Sequence, residues 1–152
     1  MHLIQTIEEA FSEVERPDDR NYTTSKGEAY EEASEYFGRT REELSPEFLE
    51  QNRGVIFWFT PEAFLYYLPA FLRASVETDD EDALYIHSFL FLLRPNDQED
   101  FARARWGLLN DKQVTALREW LEWLRDKASN DKILRNEAEE ALEAIDARLW
   151  WD

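Results

Sequence analysis

The sequence predicts an all-α fold of six or seven helices, packed as a single domain over residues 1–152. Three observations lead to this fold class. Apolar residues recur at helical spacing along nearly the whole chain, helix-start and helix-stop residues separate these stretches, and only segment 55–59 resembles a strand. A lone strand cannot form a sheet, and an aromatic content of 14% supplies apolar area for a large core.

The first third is expected to hold three amphipathic helices whose limits are marked by specific residues. The first helix ends at Pro17, because proline is excluded from a helix interior. Ser25 and Glu28 form the capping-box pattern that begins the second helix. That helix ends at Gly38, since glycine readily adopts the left-handed conformation of a helix end, and Ser45 begins the third.

Two nearly wholly apolar helices are expected at the centre of the fold. The first begins at Pro61, within residues 57–71, of which seven are aromatic and only one is charged. Pro69 lies inside this helix and predicts a kink, because it lacks the N–H that a helix interior uses. The second helix opens at the acidic run 79–82 and continues to Leu93.

Three further helices complete the expected fold. The first covers about residues 97–106, and the next begins with a capping box formed by Asn110 and Gln113. The last carries an apolar stripe over residues 134–149. Four tryptophans are expected to pack the last two helices against each other, and would mark a partner or dimer surface if exposed. They are Trp120, Trp123, Trp150 and Trp151.

The charge is strongly negative and unevenly distributed. The chain has a net charge of −17, and residues 1–52 carry 14 acidic and 5 basic side chains, a net of −9. Such a field repels nucleic acid and anionic lipid and attracts basic partners. Alternatively, the acidity only keeps an aromatic-rich domain soluble or reflects a salt-rich habitat, which a content of 4 Lys against 13 Arg fits loosely.

The composition excludes several kinds of chemistry. The absence of cysteine excludes disulfides, thiol nucleophiles and zinc–thiolate sites, and it suits a reducing cytoplasm. Two histidines, four isolated glycines and the lack of a G-x-S-x-G motif predict no metal site, no cofactor and no catalytic serine. The start of the chain does not resemble a signal peptide, and no apolar segment suits a membrane span.

One group of residues is a candidate pocket near the expected helix kink. A kink frees backbone groups that could face a ligand, and tyrosine hydroxyls with a carboxylate could then act as an enzyme site. His87 is expected to be a neutral, hydrogen-bonded core residue, with pocket lining as the alternative. The candidate pocket residues are Tyr66, Tyr67, Pro69 and His87.

A second group of residues is a candidate partner-binding surface. Four glutamates recur at helical spacing on one face of the second helix, and tyrosines lie among them. The simplest interpretation is a solvated face, whereas a basic partner would relieve the repulsion between these carboxylates. Tyrosine suits the role of an interface anchor. The candidate residues are Glu28, Tyr30, Glu31, Glu32, Glu35 and Tyr36.

The segment T-P-E-A-F…Y-Y-L-P at residues 60–69 resembles a family of small bacterial proteins of unknown function. A second block at residues 109–121 is similar to another part of that family, and the resemblance covers roughly residues 3–125. It implies a bacterial, cytoplasmic, helical protein and no catalytic residues. Size and acidity also make the chain similar to bacterial immunity proteins, which neutralise toxins.

Three hypotheses about function follow from the sequence. The leading one is a non-enzymatic binding protein whose acidic first third engages a basic protein. The second is an enzyme that uses carboxylates and tyrosines in the pocket near Tyr66 and Pro69. The third is a self-associating structural protein, such as a homodimer, that uses Trp150 and Trp151.

Overall fold

The computed structural model describes residues 2–18, 21–23, 27–79, 83–128 and 130–151, with Glu28 and Ala29 described by their backbone alone. Eight α-helices lie in this part of the chain, which confirms the all-α prediction. They correspond to the eight segments delimited in the sequence, one more than the predicted total of six or seven. Short 3-10 helices occur at Arg41–Glu43 and Arg53–Phe57. The α-helices are α1 (His2–Ala10), α2 (Glu28–Ser34), α3 (Pro46–Gln51), α4 (Pro61–Glu77), α5 (Leu84–Leu93), α6 (Glu99–Trp106), α7 (Asp111–Lys127) and α8 (Lys132–Asp146).

Helix α1 is shorter than the sequence predicts. It ends at Ala10 and is followed by a turn, well before Pro17. The Ser12 hydroxyl donates to the Glu9 carbonyl at 2.9 Å, a local bond that competes with continuation of the helix. The Phe11 carbonyl accepts from the Arg41 guanidinium at 2.8 Å, so its hydrogen bond goes to a distant side chain.

The expected extended segment at residues 55–59 was wrong for most of its length. Residues Arg53–Phe57 form a 3-10 helix, and only Phe59 makes an isolated antiparallel bridge, to Thr23. Val55 and Ile56 are fully buried, so tertiary packing overrides the β-propensity of these residues.

Helix α4 begins as the sequence predicts and lies at the centre of the fold. The Thr60 hydroxyl accepts from the Ala63 N–H at 3.2 Å, and Pro61 occupies the first helical position. The helix continues through Pro69 to Glu77, and twelve of its seventeen residues are buried. It packs against α1, α3 and α6, which explains why it tolerates apolar residues on nearly every face.

Helix α5 begins later than predicted. Thr78 caps the end of α4, α5 starts at Leu84, and the expected acidic start at Asp80–Asp82 lies outside the described residues, as does the Ser25 cap of α2. The Glu50 carboxylate, on α3, accepts from the Leu84 and Tyr85 N–H groups at 2.9 and 3.3 Å. This carboxylate from another helix satisfies the N-terminus of α5.

Three of the four tryptophans of the C-terminal region are buried, and two of them form hydrogen bonds beyond the last two helices. Trp120 donates from its indole N–H to the Ser75 hydroxyl of α4 at 2.8 Å. Trp150 donates to the Leu93 carbonyl of α5 at 2.7 Å, and Trp151 is also buried. Trp123 is half-buried below the Lys127 ammonium. Trp120 and Trp150 therefore join the C-terminal helices to α4 and α5.

Candidate functional site

Helix α2 presents its glutamates to solvent and its small and aromatic residues to the core. The side chains of Glu31, Glu32 and Glu35 are exposed, whereas Ala33 and Tyr36 are buried. The helical period therefore separates an acidic face from an apolar one. We define the acidic surface as Glu31, Glu32 and Glu35, because the side chain of Glu28 lies outside the described residues.

The carboxylates of the acidic surface have no cationic partner in the described part of the chain. Arg39 lies one turn after Glu35, yet its Nε donates to the Glu35 carbonyl at 2.7 Å. Its guanidinium lies over the Phe48 ring, 4.9 Å from the ring centroid. The nearest arginine in sequence is thus directed to a backbone oxygen and an aromatic ring, and the carboxylates remain available.

The two tyrosines of the candidate surface lie in different environments. Tyr30 is half-exposed and makes an edge contact with Phe37, with ring centroids 5.7 Å apart. Tyr36 is fully buried and donates from its hydroxyl to the Asn52 carbonyl at 3.0 Å. Burial, with a smaller effect of the Glu32 charge, raises the pKa of Tyr36 above its ordinary value. Only Tyr30 can therefore contact a partner.

Tyr67 stabilises the packing of the first third on α4. Its hydroxyl donates to the Arg39 carbonyl at 2.7 Å and lies 2.9 Å from the Tyr22 hydroxyl. Because Tyr67 has one proton and a carbonyl can only accept, the Tyr22 hydroxyl donates to Tyr67 and accepts from Arg16 at 2.8 Å. Burial, followed by the Tyr22 hydrogen bond, raises the pKa of Tyr67. This phenol is neutral and fully hydrogen-bonded, unlike a catalytic base.

Arg41 covers the backbone of α4 one turn before Pro69. Proline removes one helical N–H and crowds the preceding turn, which weakens the bonding of nearby carbonyls. The Arg41 guanidinium donates to the Tyr66 carbonyl at 3.4 Å and lies 4.9 Å from the centroid of the Tyr66 ring. The Arg41 N–H donates to the Tyr66 hydroxyl at 3.2 Å. Arg41 therefore occupies both the ring and the carbonyl of Tyr66, which is the neighbour of Leu65, the residue four before Pro69 whose carbonyl loses its helical donor.

A cavity of about 250 Å³ lies beside Pro69. Arg41 and Arg73 line it together with the carboxylates of Glu8 and Glu42, while Tyr66, Tyr67 and His87 are not among its lining residues. Each arginine is already near a carboxylate, at 3.1 Å for Arg41–Glu42 and 3.9 Å for Arg73–Glu8. The cavity is therefore close to neutral and lacks the predicted tyrosine hydroxyls.

His87 is not the core residue that the sequence predicts. Its side chain is partly exposed, and its Nδ1 lies 3.7 Å from a Glu137 carboxylate oxygen of α8. The same carboxylate pairs with Arg94 at 3.1 Å. The period of α5 places His87 on a face directed at α8, so the four candidate pocket residues do not share one site.

Three aromatic residues are exposed although the sequence did not predict their exposure. Phe57, Trp58 and Phe91 have exposed fractions of 41%, 49% and 49%, and the rings of Phe57 and Phe91 lie 6.4 Å apart. We call these three residues the aromatic patch. The sequence shows them inside two apolar runs, where the simplest prediction is burial. A signal was nevertheless present, because no single helical face can bury every residue of such a run.

Neither a metal site nor a membrane-spanning helix is found in the part of the chain that the structure describes. Within the described ranges, no three His, Asp or Glu side chains are grouped so that they could hold a metal ion. Similarly, no helix in those ranges has both the length and the apolarity to cross a membrane.

Comparison with known proteins identifies one family. The model of a family described as "Family of unknown function (DUF6714)" matches residues 1–151 of the chain. No curated protein and no solved structure matches.

Proposed function

Since the chain belongs to DUF6714, a family of unknown function, we propose a role from its surface: a non-enzymatic module that binds a basic protein. The acidic surface of α2 is the proposed contact. The observation that carries the proposal is that Glu31, Glu32 and Glu35 are exposed and have no cationic partner among the described residues. The net charge of −9 over residues 1–52 also favours a positively charged partner.

The energetics of α2 favour a positively charged ligand. Neighbouring like charges on a helix destabilise it by about 0.2–0.5 kcal/mol per pair, and a bound cation relieves that repulsion. A cluster of one sign also accelerates association with a partner of the opposite sign. The half-exposed ring of Tyr30 adds an amphipathic contact at the edge of the acidic surface.

An immunity-like role is the specific form of this proposal. A bacterial toxin that acts on nucleic acid carries a basic surface, which an acidic protein can cover. We place this role in a bacterial cytoplasm, which the absence of cysteine suits. We expect no nucleic-acid ligand, because the acidic surface repels phosphates.

Two other functions receive less support from the contacts. For an enzyme near Tyr66 and Pro69, the cavity beside Pro69 is a favourable observation. The Tyr66 and Tyr67 hydroxyls, however, are engaged in internal hydrogen bonds. For self-association through Trp150 and Trp151, both side chains are buried within the chain itself, so they offer little surface to a second copy.

The proposal can be tested with a lysine-rich peptide as a probe, followed by isothermal titration calorimetry at several salt concentrations. The variant Glu31→Gln/Glu32→Gln/Glu35→Gln is expected to weaken binding by about tenfold at low salt, since it removes the clustered charge. A matched control, Glu13→Gln/Glu139→Gln/Glu143→Gln, removes the same charge from exposed positions outside α2, one in the turn after α1 and two on α8.

A larger loss of binding in the α2 variant than in the control variant supports the proposal, because the total charge of the two variants is equal. If both variants weaken binding to the same extent, the acidity acts only as a general field and the acidic surface is not the contact. Binding that does not decrease with added salt also contradicts the proposal, since exposed charges are screened over about 10 Å at 0.1 M salt.

A further inference from the structure

The aromatic patch is held in place by buried neighbours. Val55 and Ile56 are fully buried, and the Trp58 N–H donates to the Val55 carbonyl at 2.8 Å. The Trp58 carbonyl accepts from the Thr23 hydroxyl at 2.7 Å. The backbone on both sides of Phe57 is thereby anchored, so its ring and that of Trp58 are exposed from a fixed segment.

Exposure of large aromatic rings is unfavourable unless something covers them, and the Trp58 ring follows that of Phe57 directly in the sequence. Each aromatic side chain gains about 25 cal/mol for every Å² of apolar area removed from water. Phe57 and Phe91 come from different elements, the 3-10 helix 53–57 and α5, and their rings meet at the surface at 6.4 Å. Grouped exposed aromatic residues are typical of a contact region, whereas scattered ones are ordinary.

The aromatic patch adjoins the acidic surface through Gly54. Helix α2 packs against the 3-10 helix 53–57, and the Glu32 carboxylate lies directly against Gly54. A Cβ at Gly54 would be 2.7 Å from a Glu32 carboxylate oxygen, so a larger residue would displace that carboxylate. The segment that carries Phe57 and Trp58 is therefore in direct contact with the helix that carries the acidic surface.

The charge beside the patch decides which kind of partner fits. A second copy of this chain would bring another net charge of −17 to the face, and repulsion opposes that contact. An anionic lipid surface is disfavoured for the same reason. A partner segment with lysine or arginine on one side and large apolar residues on the other matches both regions at once.

We propose that the aromatic patch is the docking site for apolar side chains of a basic, amphipathic segment of the partner protein, whose cationic residues contact the acidic surface. This inference rests on the proposed function and adds the chemistry of the segment that is bound. Aromatic anchors supply affinity that persists in salt, while the neighbouring glutamates supply orientation and selectivity for positive charge.

Two helical peptides of equal length and equal lysine content serve as probes. The first carries leucine and phenylalanine on one face, and the second carries glutamine at those positions. The wild-type protein is expected to bind the first about tenfold more tightly, a difference of about 1.4 kcal/mol. The variant Trp58→Ser/Phe91→Ser is expected to lose this preference, whereas Trp58→Phe retains it.

The control variant is Phe101→Ser/Ile133→Ser, which removes two other exposed apolar side chains, with exposed fractions of 68% and 73%. Circular dichroism and a cooperative urea transition establish that each variant is folded. Preference for the first peptide that survives in Trp58→Ser/Phe91→Ser, or falls equally in the control, overturns the inference. In that case, binding of the glutamine peptide that still needs Glu31, Glu32 and Glu35 leaves the proposed function intact.

The opposite failure is also distinguishable. If the first peptide needs Trp58 and Phe91 but ignores the Glu31→Gln/Glu32→Gln/Glu35→Gln changes, the partner segment is apolar without being basic. Both the proposed function and the inference as stated are then overturned, although the patch remains a contact region.

Discussion

Carboxylates occur both on the exposed face of α2 and on the α7–α8 pair, but only some of those on α7 and α8 form ion pairs. On α8, Asp146 pairs with Arg118 of α7 at 2.9 Å, and Glu137 pairs with Arg94 at 3.1 Å. On α2, the three glutamates of the acidic surface have no such partner within the described residues. An excess of carboxylates is therefore uninformative by itself, and we base the proposed contact on carboxylates that are clustered and lack an internal cation.

The tryptophans show the same difference. Trp120 is fully buried and its indole N–H is bonded to Ser75, whereas Trp58 is about half exposed. In the sequence Trp58 lies in an apolar run and Trp120 lies between Glu119 and Leu121, so the more apolar surroundings belong to the more exposed ring. The two tryptophans thus differ in burial and in hydrogen bonding, since Trp120 contacts α4 and Trp58 keeps apolar area exposed to solvent.

The largest expected effect comes from Trp120. Replacement by alanine removes a buried ring and leaves the Ser75 hydroxyl without its donor, so Trp120→Ala should lower the free energy of unfolding by about 3–5 kcal/mol. The matched change Trp58→Ala should lower it by less than about 1 kcal/mol, since the ring is half exposed. Urea unfolding curves measure both. Equal losses would remove the distinction between the two regions.

Alkaline pH should destabilise the protein through its buried tyrosines. The pKa values of Tyr36 and Tyr67 are raised from 10.0 in the folded state, so above pH 10 the unfolded state loses these protons first. Stability is fully present below pH 10 and falls as the pH rises, by up to about 1.4 kcal/mol per pH unit for each tyrosine. The change Tyr67→Phe should make this fall less steep, because it removes one of the two raised tyrosine pKa values. Urea unfolding at several pH values tests the difference.

The smallest expected effect concerns the surface charges. Arg118→Gln should lower the free energy of unfolding by about 0.2–1 kcal/mol, because Arg118 contacts Asp146 and Glu122 at the surface. Glu31→Gln/Glu32→Gln/Glu35→Gln should instead raise it by a few tenths of a kcal/mol, since like charges are removed. Thermal unfolding at low salt measures the two signs. A loss of stability in the glutamate variant would show that these carboxylates have structural partners.

The local signals of the sequence were accurate where a helix end depends on neighbouring residues alone. The side-chain oxygen of Asn110 accepts from the Gln113 N–H at 2.9 Å in the predicted capping box. Gly38 has the left-handed φ of 73°, but it ends a turn that follows α2, because the helix itself ends at Ser34 rather than at Gly38 as predicted. The limits of α1 and α5 were wrong because they depend on distant groups, such as Arg41 on the Phe11 carbonyl and Glu50 on the Leu84 N–H.

The candidate sites were predictable only in part. Helical spacing correctly placed Glu31, Glu32 and Glu35 together on the exposed face of α2. It did not separate Tyr30 from the buried Tyr36, and it could not place His87 beside Glu137, because that contact depends on how α5 and α8 pack. The binding role of these residues stays a prediction.

The sequence by itself determined the all-α class, the apolar character of α4 and most helix starts, because periodicity and capping act over a few residues. Only the tertiary structure decided which aromatic residues remain exposed and which carboxylates remain unpaired. The physical reason is that burial and ion pairing depend on the partner that long-range packing supplies. The described residues leave the Trp58 ring about half exposed, and they give the acidic surface no cationic partner.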